Sequence, residues 1–148
     1  MEYLETTVLG VMSGTSLDGI DFAIVKFVQA NGWSFEVMEA TTVPYSTEWE
    51  SRLKTAVTLD AKNRVLLDIE YTLFLGGRIR SFLAEHQGYS IDFVSSHGHT
   101  VLHQPQQGVT HQMGNLSSLA QQLQHKVICD FRTADVAQKG QGAPLVPG

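Results

Sequence analysis

Thr6-Thr7-Val8-Leu9-Gly10-Val11-Met12-Ser13-Gly14-Thr15-Ser16-Leu17-Asp18-Gly19-Ile20-Asp21-Phe22-Ala23-Ile24-Val25-Lys26-Phe27-Val28 reads as two strands around a tight loop. Residues 6–12 are β-rich, and residues 20–28 are apolar again through Phe22, Ile24, Val25 and Phe27. Gly10, Gly14 and Gly19 punctuate the stretch. Asn31-Gly32 then signals a hairpin, and residues 33–43 supply a third strand that Pro44 stops. Three antiparallel strands therefore open the chain.

Downstream the period changes. Ser46-Thr47-Glu48-Trp49 is a capped helix start, so residues 49–57 read as a short helix. A long helix follows over residues 60–86, where Leu67, Tyr71, Phe74, Leu75, Arg78, Ile79 and Phe82 recur at helical spacing. Gly76 and Gly77 lie inside it at a cost of about 1 kcal/mol each relative to Ala, which predicts a close approach by another backbone. Gly88 marks its end. Residues 92–96 read as a buried strand, 116–124 as a short helix and 126–129 as a further strand. Leaving out the first short helix, the order is β-β-β-α-β-α-β, an α/β fold with a mixed sheet and flanking helices.

The 148 residues are 43% hydrophobic and 17% charged, enough for one domain with a real core and against disorder or coiled coil. Ten Lys and Arg against 15 Asp and Glu leave a formal charge of -5, which argues against nucleic-acid binding because there is no diffuse basic field. A single cysteine, Cys129, an acidic N-terminus with no apolar run behind it, and the lack of any apolar stretch near the ~20 residues of a membrane helix point to a soluble, cytoplasmic protein. Residues 140–148 are Gly- and Pro-shaped and apolar, with no closing element, and they read as a cut rather than a finished end.

Three segments carry chemistry. In the loop Gly14, Thr15, Ser16, Leu17, Asp18, Gly19, Ile20 and Asp21, glycines let the backbone turn and approach a ligand. Its main-chain N–H groups, with the Ser13, Thr15 and Ser16 hydroxyls, offer donors to phosphate oxygens. A Gly/Ser/Asp hairpin loop without a ligand is the alternative reading. It is neither a Walker A loop, since no lysine occurs before Lys26, nor a nucleophile elbow, since Asp18 stands where the second glycine is required.

Four of the six histidines fall in the second segment, at positions 97, 99, 103 and 111. His97 and His99 at i, i+2 would share one face of an extended chain and could bind zinc. No Cys lies nearby, and no Asp or Glu occurs between Asp92 and Asp130, so no metal ligand is assigned. A strand end presenting His97 to sugar hydroxyls, or a turn with exposed histidines, are the other readings. The third segment, Cys129-Asp130-Phe131-Arg132, follows a strand; in an extended chain Asp130 and Arg132 lie on the same side as an acceptor and a forked donor. Their alternative role is to cap the next helix. Gln141, between Gly140 and Gly142, marks one more ligand-facing loop, and Leu145 and Pro144 remove it from the dinucleotide fingerprints.

Taken together, residues 10–21, His97-Gly98-His99-Thr100-Val101 with His103 and Pro105, Gln112-Met113-Gly114-Asn115, and Asp130-Phe131-Arg132 through Gly140-Gln141-Gly142-Ala143-Pro144-Leu145-Val146-Pro147 resemble the anhydro-N-acetylmuramic acid kinase family. The resemblance covers essentially the whole chain. It implies the actin/hexokinase superfamily, with a ribonuclease-H-like βββαβαβ sheet forming one lobe of a two-lobed sugar-kinase fold. It also implies the family's reaction, in which ATP phosphorylates O6 of 1,6-anhydro-N-acetylmuramic acid while water opens the anhydro bridge. The product is N-acetylmuramic acid 6-phosphate, for cell-wall peptidoglycan recycling.

On this resemblance residues 14–21 match the ATP-phosphate segment, and His97, Asp130, Arg132 and Gln141 lie toward the sugar. ATP and Mg²⁺ are the implied cofactors. The superfamily's first loop carries an acidic residue ahead of its glycines; here Gly10-Val11-Met12-Ser13 stands in that place and Asp18 and Asp21 come later, so neither is assigned as a Mg²⁺ ligand. The catalytic base belongs to a downstream Asp-Thr-Gly-Pro-Gly-like segment of the second lobe, which does not occur here. Residues 1–148 are thus expected to be an N-terminal ATPase-type lobe with little turnover alone. Apolar residues 143–147 would then drive homodimer formation. An inert binding module of the same fold and a histidine-dependent metallohydrolase are the competing classes.

Overall fold

The computed structural model describes residues 3–142. Three strands, β1 (Leu4–Ser13), β2 (Gly19–Gln29) and β3 (Trp33–Pro44), open it as an antiparallel meander. Helices α1 (Thr47–Thr55) and α2 (Ala61–Glu85) follow, then β4 (Phe93–Gln104), β5 (Val109–Met113), α3 (Ser118–Leu123), β6 (Val127–Cys129) and α4 (Thr133–Ala137). The sheet has six strands in the order β3-β2-β1-β4-β5, with β6 also paired to β4. β4 runs parallel to β1 and β6 and antiparallel to β5. The mixed α/β sheet expected from the sequence is thus the one observed.

Local chemistry sets the elements. Ser46 accepts from the Trp49 N–H at 3.3 Å and starts α1; Asp60 accepts from the Asn63 N–H at 2.8 Å and starts α2. The buried stripe of α2, Leu67, Tyr71, Leu75, Ile79 and Phe82, packs against Leu9, Val11, Ile20, Phe22, Ile24 and Val94. Leu53 of α1 and Leu119 and Leu123 of α3 join the same core. Phe74 is only partly buried and Arg78 lies outside the core, its guanidinium over the Phe74 ring at 5.3 Å. The other sheet face carries Trp33 and Phe35, 65% and 71% exposed.

Three expectations need correction. β4 does not end at Ser96 but continues through the histidines to Gln104 and turns back as β5, because backbone pairing holds a polar stretch that has no apolar alternation. Gly76 is approached not by a backbone but by the Gln122 side chain of α3, and a Cβ on Gly77 would meet nothing within 4 Å. α4 follows β6 directly, where no element was expected. The apolar residues 143–147 on which dimer formation was argued lie outside the described residues.

Candidate functional site

β1, β4 and β6 are parallel, and β1 and β6 end beside Ser96 and His99 of β4, so their carboxyl ends share one edge of the sheet, where α/β proteins collect ligand sites. The loop after β1 emerges there as a turn closed by Leu17 N–H donating to the Gly14 carbonyl at 3.3 Å. Leu17 holds a φ of +60° and packs its side chain toward the core, so the rest of the turn faces outward. Ser16 Oγ donates to Asp18 Oδ1 at 2.5 Å, and this hydroxyl holds the exposed Asp18 carboxyl below its ordinary value.

The segment read as one phosphate loop therefore divides. Gly14, Thr15, Ser16 and Asp18 belong to the turn, whereas Gly19, Ile20 and Asp21 are already β2. Ile20 is a core residue, and a Cβ on Gly19 would stand 2.4 Å from the Val43 carbonyl oxygen. Asp21 accepts from Thr42 Oγ1 at 2.5 Å and looks onto the open face of the sheet. Ser13 was expected among the donors and is instead turned inward: it is 3% exposed, accepting from Tyr45 Oη at 2.6 Å and standing 3.0 Å from His99 Nδ1.

On β4 the register against β1 shifts between Val11 and Ser13, and Gly98 takes a φ of +74°. This bulge puts His97 and His99 on opposite faces, correcting the expectation that they share one. His97 borders a cavity of about 630 Å³ with Gly10, Met12, Asp21, Thr42 and Phe131. His99 is buried against Tyr71 of α2, and burial, with the neighbouring His97 adding, pulls its pKa from 6.5 to about 4. Among the described residues no three His, Cys, Asp or Glu side chains converge where a metal could sit.

After β6 the chain is a turn rather than extended, with Asp130 at a φ of +61°. Asp130 and Arg132 consequently diverge, correcting the same-side clamp. Asp130 accepts from Thr133 Oγ1 beside α4 and lines a smaller polar cavity of about 200 Å³ with Asp68, His111 and Asn115. Arg132 Nε donates to His97 Nε2 at 2.9 Å, and Asn115 Nδ2 donates to the His97 carbonyl at 3.1 Å. Gln141 is exposed in a loop held by Asp135, whose carboxylate accepts from Gly142 N–H at 2.7 Å and whose carbonyl accepts from Gly140 N–H at 2.8 Å.

Several residues that shape this edge carried little sequence signal. Tyr45 is an ordinary loop residue until the fold brings it to Ser13, and Asn115, although part of the Gln112-Met113-Gly114-Asn115 block, carried no sign of its bond to His97. Asp68 had a detectable one: a carboxylate beside Leu67 and Tyr71 on the buried stripe of α2 demands partners. It accepts from Gly114 N–H at 2.8 Å, Thr72 Oγ1 at 3.3 Å and His111 Nε2 at 3.1 Å. Chemically, the edge offers an exposed main-chain turn suited to an anion, a neutral imidazole and an arginine fork suited to hydroxyl oxygens, and a cavity on the open sheet face that His97 borders.

The sequence profile of the anhydro-N-acetylmuramic acid kinase family matches residues 6–148. A protein of that name from Rhodopseudomonas palustris is 39% identical over 153 residues, covering 95% of this chain and 41% of the relative. One from Paramagnetospirillum magneticum is 42% identical over 142 residues, covering 94% and 39%. One from Bacillus thuringiensis is 37% identical over 153 residues, covering 95% and 40%. The chain thus spans about two fifths of the length of these curated relatives.

Proposed function

Because this chain belongs to the anhydro-N-acetylmuramic acid kinase family, we propose that it forms the nucleotide-binding lobe of an ATP-dependent kinase acting on 1,6-anhydro-N-acetylmuramic acid. In the reaction a water oxygen bonds to C1 of the sugar and gives up a proton to a base, and the C1–O6 bond breaks. O6 then bonds to the γ-phosphorus of ATP as the bond to ADP breaks, leaving N-acetylmuramic acid 6-phosphate. This is a step of peptidoglycan recycling, assigned to the cytoplasm, where ATP is available. Among the described residues no helix is long and apolar enough to cross a membrane.

The observation that carries the reading is that the residue 14–18 turn leaves β1 where Ser13 pairs with His99 of β4, two residues along the strand from the His97–Arg132 pair. The turn's exposed main chain would hold phosphate oxygens, with Thr15 the hydroxyl of the turn that has no partner among the described residues. Gly19 and Ile20 would support the turn from β2 and not touch phosphate. Arg132 and His97 would orient the sugar, Arg132 through the Nη groups that its bond to His97 leaves over. Asp130 and Gln141 would bound the sugar side from the two loops that flank Arg132.

When bound with ATP, Mg²⁺ supplies screening of phosphoryl charge. Asp18, within the turn, and Asp21, three residues further along β2, are the carboxylates at hand, and each already accepts one hydroxyl hydrogen bond. They fit water-mediated contact to such an ion better than a full inner coordination sphere. The water-activating base is assigned to the part of the relatives' length that this chain does not cover. A second lobe supplied there would close the cleft, exclude water and line up the reactants.

The test is phosphorylation of the anhydro sugar by this chain and by a form extended to the length of its relatives. Turnover confined to the extended form supports the reading; none in either, with folding intact, favours an inert binding module. Gly14→Val in the extended form should abolish nucleotide binding, because its branches crowd the turn where Ser16 Oγ already lies 3.3 Å from a Cβ position. Unchanged ATP affinity would remove the turn from the site.

A further inference from the structure

Tyr45, just after β3, touches both ends of the turn. Its phenol donates to Ser13 Oγ at 2.6 Å, where β1 ends, and its main-chain N–H donates to the Asp18 carbonyl at a longer 3.4 Å, where β2 is about to begin. Within the turn itself the closing backbone bond is the one from Leu17 to Gly14. Besides that bond, the Ser16 hydroxyl on Asp18 and the Leu17 side chain on the core shape residues 14–18, and Tyr45 holds their two ends.

The grip is part of a longer chain of hydroxyls. Tyr45 Oη lies 2.7 Å from Tyr71 Oη, and Ser13 Oγ lies 3.0 Å from His99 Nδ1. Each hydroxyl has a single hydrogen to give. Once Tyr45 donates to Ser13, the Ser13 hydrogen goes to His99 Nδ1 and Tyr71 donates to Tyr45, so the bonds run in one direction from α2 through Tyr45 and the end of β1 to β4. The two ends of this chain favour that direction. Burial raises both phenols above their ordinary values and keeps them protonated, and the neutral His99 has an acceptor to offer. Tyr71 is fully buried and Ser13 nearly so, which leaves water little access to replace any link.

We propose that Tyr45 is a positioning residue for the phosphate turn: through Ser13 and Asp18 it holds the main chain of residues 14–18 in its anion-receiving shape without itself touching nucleotide. The inference rests on the reading of that turn as the ATP-phosphate site. Its physical content is pre-organisation, since amides already aimed at the phosphate spare the ordering cost on binding.

The test compares Tyr45→Phe, Ser13→Ala and the double variant in the form extended to the relatives' length. Phe keeps the ring packed on Phe74, whose centroid is 6.1 Å away, and removes only the hydroxyl. Amide hydrogen exchange at Leu17 and Tyr45, whose N–H groups are bonded to the Gly14 and Asp18 carbonyls, should accelerate about tenfold and the KM for ATP should rise about five- to tenfold, with the KM for the sugar unchanged. Ser13→Ala should reproduce both effects, and the double variant should go no further than either single one, because both cut the same chain. A merely structural tyrosine would lower the melting temperature without separating the two KM values. Unchanged exchange in Tyr45→Phe, or additive effects in the double variant, overturns the role of Tyr45. Faster exchange with unchanged ATP affinity overturns instead the phosphate reading beneath it.

Discussion

Arg132 Nε donates to Nε2 of His97 at 2.9 Å, while Nδ1 of the same ring lies 3.0 Å from the Gly98 carbonyl oxygen. A carbonyl can only accept, so Nδ1 carries the hydrogen and Nε2 is the acceptor; the imidazole is neutral with a determined tautomer. Burial pulls its pKa below the ordinary value and the Arg132 charge adds to that, against the Gly98 carbonyl. Arg132→Ala should therefore raise the His97 pKa, read from the ring resonances in an NMR pH titration. An unmoved titration would mean that the guanidinium does not bear on this ring. In the extended form the same variant should raise the KM for the sugar at least tenfold, by losing a charged donor.

His99 makes stability depend on pH. Its folded pKa of about 4 lies under the unfolded 6.5, so between these values the unfolded chain binds more protons and stability falls as pH falls. The full contribution is present above about pH 6.5 and is lost progressively down to about pH 4, in total roughly 3 kcal/mol. His97, also depressed, acts in the same direction. Urea denaturation at pH 7, 5.5 and 4.5 should trace this slope, and His99→Gln should flatten it. An equal slope in that variant would assign the acid sensitivity to other groups.

Two glycines should respond oppositely to alanine. At Gly98 the φ of +74° strains any L side chain and a Cβ would lie 2.2 Å from the Met113 carbonyl oxygen, so the β4–β5 pairing must shift. A loss above about 3 kcal/mol is expected. Gly77 sits inside α2 with nothing within 4 Å of its Cβ position, and Gly77→Ala should add about 0.5–1 kcal/mol through helix propensity. Thermal melts of the two variants check both signs.

Asp68 joins α2 to the segment after β5 by accepting the Gly114 N–H at 2.8 Å. Asp68→Ala would leave that buried donor unpaired and release His111 and Thr72, for a loss of about 2–4 kcal/mol. Asp68→Asn retains one acceptor oxygen and should lose less. Chemical denaturation that ranks the two variants the other way would show that the carboxylate is not satisfying Gly114.

Legibility followed the range of the interactions involved. The α2 boundaries fell within one residue of the expected ones, because an N-cap and a 3.6-residue stripe are written in adjacent residues. β5 was missed because Val109-Thr110-His111-Gln112-Met113 has no clean alternation and pairs with β4 through its backbone. Ser13 looked like one more loop donor, and its inward turn depends on Tyr45 and His99, which are 32 and 86 positions away. Asp130 and Arg132 were placed by a period of two that a positive φ at Asp130 breaks.

By itself the sequence determined the opening three strands, the two helices after them, the mixed character of the sheet and the family, since these rest on local periodicity and on motifs read in line. The tertiary structure alone decided which candidate side chains face each other. A bulge at Gly98 sends His97 and His99 to opposite sides, and Arg132 reaches His97 across 35 positions. A single extra residue in a strand reverses every face after it, and hydrogen-bond partners far apart in sequence meet only when the sheet register is set.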